Sequence, residues 1–148
     1  MGHRRKAREY VLQALYMYEI AKNDIEELTT LHWIEKEIPE EIRSFAVDLI
    51  TITLKNMDTV DDLIRKYSKN WSFERLTLVD KAILRLSICA LLYFPDIPVV
   101  VTINEGIELG KIYGGENSGQ FINGILDSIK NAEVNRKEMY PGDTEEKK

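Results

Sequence analysis

The most apolar segment of the chain runs from Leu78 to Phe94. Its only charged residues are Asp80, Lys81 and Arg85, which are spaced to share one side of a helix. A helix that is apolar almost all round is normally buried among other elements. The segment is too interrupted to span a membrane, which needs about 20 consecutive apolar residues. We therefore predict that it forms the central helix, 78–94, of a folded helical domain.

Apolar residues recur at helical spacing through most of the remaining chain. In the first segment, Ala7, Val11, Leu15 and Tyr18 follow the pattern of one buried helix face. Similar patterns predict about seven helices: from 3–6 to about 22, from about 24 to before 39, from 42 to 52, from 57 to 67, at 78–94, from 102 to 113 and from 117 to about 130. The third helix either ends before Met57 or continues through it, because neither proline nor glycine separates the two parts. No convincing strand is found, so the predicted fold class is all-α.

Prolines and capping residues predict the boundary after the central helix. Pro95 and Pro98 end that helix, because the residue before a proline is disfavoured in helical conformation. The β-branched run 99–101 has no strand partner and is predicted to be an extended linker. Thr102 and Glu105 then have the spacing of a capping box, which predicts that the next helix begins at residue 102.

Glycines mark the junction between the last two predicted helices. Gly114 and Gly115 end the first of them, as glycine does in the left-handed conformation after a C-cap. Gly106 and Gly110 lie four residues apart inside the same helix, where each glycine costs roughly 1 kcal/mol relative to alanine. Close packing offsets such a cost, and tight packing against the central helix is favoured over approach of a ligand.

The chain of 148 residues has the length and composition of one globular domain, with 44% hydrophobic and 30% charged residues. We assign this domain to 1–132. Its connection 69–77 is predicted to contain a short turn anchored by Trp71 and Phe73. The polar segment 133–148 is predicted to be a disordered tail.

Residues that carry enzyme chemistry are scarce. Cys89, the single cysteine, lies in the apolar helix and is predicted to be a core residue, and no disulfide within the chain is possible. The two histidines, His3 and His32, show no metal-ligand spacing. The acids Asp61 and Asp62 are predicted to lie on an exposed helix face. We therefore expect no catalytic activity, cofactor or metal. We also expect a cytoplasmic protein, since no signal peptide or membrane span is visible.

A group of cations opens an otherwise acidic chain. Arg4, Arg5, Lys6 and Arg8 occur among the first eight residues without any acid, although the whole chain has a net charge of -5. Such a group is typical of phosphate contacts, in which each cation adds affinity without reading sequence. The alternative is a solvated N-terminus with no partner.

The second candidate site is the corner between the last two helices, from Lys111 to Phe121. Tyr113 and Phe121 flank the glycines, while Asn117 and Gln120 have the spacing of a second capping pair. Aromatic rings beside the amides of a helix N-terminus are able to stack unpaired bases and hold phosphate, and Asn or Gln reads base edges. The alternative is that both rings only fill the helix junction.

Three stretches together resemble the NusB family of bacterial transcription factors. They are Arg4–Glu9 with Gln13–Tyr16, Val79–Leu86, and the segment from Ile97 to Asp127, which contains Ile103-Asn104-Glu105, Glu116-Asn117-Ser118 and Phe121-Ile122-Asn123-Gly124. The resemblance covers nearly the whole chain apart from its last dozen or so residues. It implies two small helical bundles and an antitermination factor that binds single-stranded boxA RNA together with NusE, a small-subunit ribosomal protein. It also implies a complex with RNA polymerase and other Nus factors on ribosomal RNA operons.

The resemblance also implies site residues. The RNA contacts fall on the basic start and the corner, and with less support on Tyr67: Arg4, Arg5, Lys6, Arg8, Tyr67, Lys111, Tyr113, Asn117, Gln120 and Phe121. The NusE contacts fall on Tyr16, Glu74 and Asp80, where acids would meet a basic ribosomal protein. One departure is Gln120, since this position is often basic in the family.

Two alternatives to an antitermination factor are kept. NusB-like domains also occur at the front of ribosomal RNA cytosine methyltransferases. That interpretation requires a cofactor-binding domain with glycine-rich and catalytic cysteine motifs, which this sequence does not contain. The other alternative is a helical interaction module that binds no RNA, and the basic start argues against it.

Overall fold

A computed structural model describes residues 2–34, 36–69 and 72–134. Within these ranges the chain forms seven α-helices, one short 3-10 turn at Phe73–Arg75, and no strand. The helices are α1 (Gly2–Ala21), α2 (Ile25–Thr30), α3 (Glu40–Lys55), α4 (Met57–Tyr67), α5 (Leu78–Tyr93), α6 (Val99–Tyr113) and α7 (Ser118–Glu133). The all-α prediction is confirmed. Trp71 and most of the predicted tail, 135–148, lie outside the described residues.

Helix α5 is the centre of the fold, as its apolar sequence predicted. Every residue from Asp80 to Leu91 is buried, and the helix packs against α1, α3, α4, α6 and α7. Cys89 is completely buried, and burial raises the pKa of its thiol to about 11. The thiol is therefore protonated at neutral pH and behaves as a small core side chain.

The remaining helices pack around α5 in two groups. Helices α1, α2 and α3 form one group, in which α3 contacts both of the others. Helices α4, α6 and α7 form the second group with α5, and α6 against α7 is its most extensive contact. In this arrangement the start of α1 lies beside α6. The corner between α6 and α7 lies at the C-terminal end of α6.

Two predicted helix boundaries are wrong. Helix α6 begins at Val99 rather than at Thr102, because the Pro98 carbonyl accepts hydrogen bonds from the N–H groups of Val101 (3.0 Å) and Thr102 (3.2 Å). Thr102 is buried inside the helix and caps nothing. Helix α2 ends at Thr30, well before Pro39, because Leu31 adopts a left-handed backbone conformation with φ of 59°. The open question at Met57 is resolved, since α4 begins there as a separate helix after a turn.

Glycines allow α6 to approach its neighbours closely. A Cβ on Gly106 would lie 2.9 Å from the Ser87 hydroxyl of α5, which confirms the predicted packing against the central helix. A Cβ on Gly110 would instead meet α7, 3.2 Å from the backbone nitrogen of Gly119. Gly114 has φ of -94°, so the predicted left-handed conformation is wrong there. Its glycine is required because a Cβ would collide with the Ser118 side chain.

Replacing Gly110 with alanine is expected to destabilise the protein by about 1–2 kcal/mol, because overpacking outweighs the better helix propensity of alanine. The new Cβ would crowd backbone atoms of Gly119, which cannot move without shifting α7. Urea unfolding measures the change. Gly124→Ala is the matched control, since nothing lies within 4 Å of a Cβ there, and a gain of about 0.5–1 kcal/mol is expected. Equal effects of the two substitutions would contradict close packing at Gly110.

Candidate nucleic-acid interface

The four cations at the start of α1 have different environments. Arg5 is part-exposed and its Nε and Nη2 atoms donate to the two carboxylate oxygens of Glu105, at 3.0 and 2.9 Å. Arg8 is only 3% exposed, with Nη1 3.9 Å from Glu105 and its guanidinium over the Phe45 ring. Burial removes Arg8 from the exposed basic group that the sequence predicted. Its observed contacts tie α1 to α3 and α6.

Arg4 and Lys6 complete the basic group. Both are exposed. The Arg4 guanidinium lies 4.3 Å from the centre of the Phe45 ring, and the Lys6 ammonium lies 3.5 Å from a carboxylate oxygen of Glu9. Contacts of this kind at the surface are weak, so both cations remain available to an anionic ligand.

Glu105 is the carboxylate that holds the start of α1 against α6. The hydrogen bond from Arg5 lowers the pKa of Glu105, and the charge of Arg8 adds to this effect. The same hydrogen bond raises the pKa of Arg5. Both groups are therefore charged at neutral pH, and the bidentate pair fixes the direction of the Arg5 side chain.

A second contact joins the α6–α7 corner to α1. Tyr113 is 45% exposed, and its hydroxyl donates to Glu9 Oε2 at 2.8 Å, which raises the pKa of Tyr113. Tyr113, Lys6 and Tyr16 line one groove of about 470 Å³ between α1 and the end of α6. The basic start and the aromatic corner, predicted separately from sequence, are thus neighbours in the fold.

Ser118, not Asn117, organises the start of α7. Asn117 occupies the N-cap position but its side chain makes no capping hydrogen bond, so the predicted capping by Asn117 and Gln120 is wrong. The Ser118 hydroxyl accepts from the Gly115 N–H and donates to Asp80 Oδ1, both at 2.8 Å. This leaves the exposed amide side chains of Asn117 and Gln120 facing outward at the corner.

A cavity of about 470 Å³ lies between this corner and the 3-10 turn. Its walls are Arg75, Leu76, Thr77, Asp80, Gly115, Asn117, Ser118, Gln120 and Phe121. Phe121 is half-buried: it packs against the core and also forms part of the cavity wall. Phe121 therefore fills the helix junction in part and leaves part of its ring in the cavity wall, and its predicted stacking on a base stays a prediction. The sequence did not single out Arg75, because its approach to the corner depends on tertiary packing. Ser118 was part of the Glu116-Asn117-Ser118 motif, but its contact with Asp80 was not predicted.

The predicted NusE-facing residues differ in exposure. Tyr16 is 41% exposed and Glu74 is exposed on the 3-10 turn. Asp80 is buried at 9% exposure, and its carboxylate accepts the Ser118 hydrogen bond. The predicted acidic edge of α5 is therefore mostly internal, and Asp80 lines the corner cavity.

Lys111 and Tyr67 lie apart from this cavity. Lys111 is exposed, with its ammonium 3.6 Å from the Glu108 carboxylate. The Tyr67 hydroxyl donates to Glu133 Oε2 at 2.6 Å, at the last residue of α7. Sixteen helical residues span roughly 24 Å, so the structure does not bring Tyr67 together with the corner at the start of α7.

The described ranges contain neither a candidate metal site nor a membrane-spanning helix. No group of three or more His, Cys, Asp or Glu side chains is placed to hold a metal ion there. No helix among the described residues is long and apolar enough to cross a membrane.

Comparison with known proteins agrees with this architecture. The NusB family profile matches residues 5–131. The transcription antitermination protein NusB of Syntrophus aciditrophicus is 47% identical over 129 residues, which cover 87% of this chain and 80% of that protein. The structure of T. maritima NusB is 40% identical, with a TM-score of 0.82 and coverage of 89% of this chain and 93% of that chain.

A more distant structure shares the fold alone. It contains the antitermination factors NusB and NusE in complex with dsRNA, and it is 24% identical with a TM-score of 0.74, covering 89% of this chain and 98% of that chain. The family match spans most of the chain, and the Syntrophus protein is 47% identical over 87% of it. The chain therefore belongs to the NusB family.

Proposed function

We propose that this chain is a transcription antitermination factor that binds single-stranded boxA RNA together with NusE. In this role it acts in the cytoplasm with RNA polymerase and other Nus factors, and promotes transcription of ribosomal RNA operons. Its relatives are transcription antitermination proteins, and a structure with this fold contains NusB and NusE with dsRNA.

One observation carries the RNA-binding part of the proposal. The Arg5–Glu105 and Tyr113–Glu9 contacts place the basic start of α1 beside the α6–α7 corner. Cations that bind phosphates and aromatic rings that stack bases are the two components of single-strand recognition. Their proximity allows one RNA strand to use both.

The proposed division of labour follows from the side chains. Arg4, Arg5 and Lys6 contact phosphates, which gives affinity that is independent of sequence. Phe121 stacks one base, and Asn117 with Gln120 reads base edges beside it. Lys111 and Tyr113 border this surface. Tyr67 contacts RNA only if the strand continues toward the opposite end of α7.

NusE is proposed to bind next to the RNA. Tyr16 lines the groove that Tyr113 and Lys6 also line, while Glu74 offers an exposed carboxylate to a basic protein. Asp80 is reached through the corner cavity. Residues assigned to the two partners thus share a groove and a cavity, which would couple RNA binding to NusE binding.

The test is a titration of a boxA oligoribonucleotide and a scrambled control with the full chain, at two salt concentrations, with and without NusE. Preferential binding of boxA that NusE strengthens is the expected result. Equal weak binding of both RNAs, unaffected by NusE, would overturn the proposal and favour a helical interaction module that binds no specific RNA.

Phe121→Ala is expected to weaken boxA binding by about 1–2 kcal/mol, because stacking on an aromatic ring contributes roughly 1–3 kcal/mol per base and part of this ring is buried. Fluorescence anisotropy with labelled RNA measures the loss. Tyr93→Ala, which removes a 37% exposed ring at the end of α5, is the control and is expected to leave binding unchanged. Normal affinity of a folded Phe121→Ala variant would restrict Phe121 to a packing role.

A further inference from the structure

The corner cavity contains one cation that neither the sequence motifs nor the resemblance assigns to RNA. Arg75 is the last residue of the 3-10 turn, is exposed, and lines the cavity with Gln120 and Phe121. Its side chain forms no ion pair or hydrogen bond within the described part of the chain, although its backbone N–H donates to Ser72. Among the described residues that line the cavity, Arg75 is the only Lys or Arg.

The turn that carries Arg75 is held firmly by its neighbours. Phe73 is buried, with the guanidinium of Arg65 and the ammonium of Lys81 at 4.3 and 4.4 Å from its ring centre. Leu76 is buried on the other side of Arg75. The backbone at Arg75 is therefore anchored on both sides, and only the charged side chain extends toward solvent.

The acids near Arg75 do not neutralise it. Asp80 lines the same cavity, but its carboxylate accepts a hydrogen bond from Ser118 and lies in no ion pair with Arg75. Glu74 is exposed on the preceding residue. Lys111, the other cation assigned to this corner, does not line the cavity. Within the described part of the chain, Arg75 is thus the positive charge at the cavity.

We propose that Arg75 is a further RNA-contacting residue, which binds the phosphate of the nucleotide whose base stacks on Phe121. The cavity of about 470 Å³ has room for one nucleotide, since pockets for small ligands span roughly 300–1,000 Å³. The Arg75 guanidinium in the lining of this cavity neutralises the phosphate charge. Gln120, which is neutral, supplies no such charge. This inference rests on the proposed function.

Arg75→Gln is expected to weaken binding of boxA RNA about fivefold at ~0.1 M salt, and to reduce the slope of log K against log salt by about 0.7, the value for one phosphate contact on a single strand. Lys55→Gln is the matched control, because Lys55 is also exposed, lies in the last turn of α3 and lines neither the cavity nor the groove. Circular dichroism of each variant checks that the fold is retained.

A rescue experiment separates phosphate contact from a structural role. Gln120→Lys adds a cation to the same cavity, so the double variant Arg75→Gln/Gln120→Lys is expected to regain the affinity and the salt slope. Failure of wild-type protein to bind boxA would overturn the proposed function itself. If the wild type binds and Phe121→Ala weakens binding, but Arg75→Gln does not, only the role of Arg75 is overturned. Unchanged RNA binding with altered NusE binding would likewise overturn it.

Discussion

Replacing Asp61 with alanine is expected to lower the free energy of unfolding by about 3 kcal/mol, the low end of the range for breaking a buried ion pair. Asp61 of α4 is only 8% exposed, and its two carboxylate oxygens accept from Arg85 Nε and Nη2 at 2.8 and 2.9 Å. Arg85 lies on the central helix and is 5% exposed. Removing the carboxylate leaves a buried guanidinium without its bidentate partner.

The effect is expected at the low end because Arg85 retains other contacts. Its Nη1 donates to Glu19 Oε1 at 2.7 Å, and its guanidinium lies 5.7 Å from the centre of the Phe73 ring. The hydrogen bond from Arg85 lowers the pKa of Glu19, so this carboxylate is charged at neutral pH. Glu19 is more exposed than Asp61, and water screens its attraction.

Urea unfolding of the wild type and of two variants at neutral pH measures the effect. Asp62→Ala is the matched control, because the neighbouring Asp62 carboxylate is 76% exposed and pairs with Arg65 at 3.0 Å on the surface. Such a pair contributes at most about 1 kcal/mol. A loss for Asp61→Ala no larger than for Asp62→Ala would show that the buried pair does not hold α4 against α5.

The same ion pair shows where prediction from sequence fails. Asp61 was predicted to lie on an exposed helix face together with Asp62, and this prediction is wrong for Asp61. Helical periodicity identifies apolar faces and by default assigns charges to solvent. Arg85 is 24 residues away from Asp61 and 66 from Glu19, and no local pattern indicates which distant acids will meet a given arginine.

The central helix was predictable for the opposite reason. Its apolar residues occupy nearly every position of one local segment, and burial on almost all sides follows from that pattern alone. The start of α6 was not predictable from the sequence, because a run of β-branched residues is compatible with a strand, a linker or a helix. Tertiary contacts and hydrogen bonds decide in favour of a helix. Val99 is buried at the start of α6, and the Pro98 carbonyl accepts the first hydrogen bonds of this helix.

The candidate site was predictable only in its parts. Composition revealed the cations of α1, and glycine spacing revealed the corner with Phe121. The adjacency of the two depends on Glu105 and Glu9, whose partners lie 100 and 104 residues away. Arg75 lines the same cavity as Gln120 and Phe121 at the start of α7, a feature that a short turn sequence does not show.

Replacing Arg4, Arg5 and Lys6 together with glutamine is expected to weaken binding of single-stranded RNA on the order of 100-fold at ~0.1 M salt. Each phosphate contact on a single strand releases about 0.7 counterion, which corresponds to about fivefold in affinity at this salt. Losing three such contacts is also expected to reduce the slope of log K against log salt by about 2. Arg8 is left unchanged, because it is buried and is the remaining cation near Glu105 once Arg5 is replaced.

The decisive quantity is the ratio of boxA to scrambled RNA affinity, measured by anisotropy over a series of salt concentrations. Phosphate contacts carry no sequence information, so both affinities are expected to fall equally while the ratio stays constant. Replacing Lys22, Lys36 and Lys55, three exposed lysines away from the site, removes the same charge and is expected to change the slope little. An unchanged salt slope in the α1 variant would reject phosphate contact there. A reduced ratio would instead show that these cations position the RNA for reading at the corner.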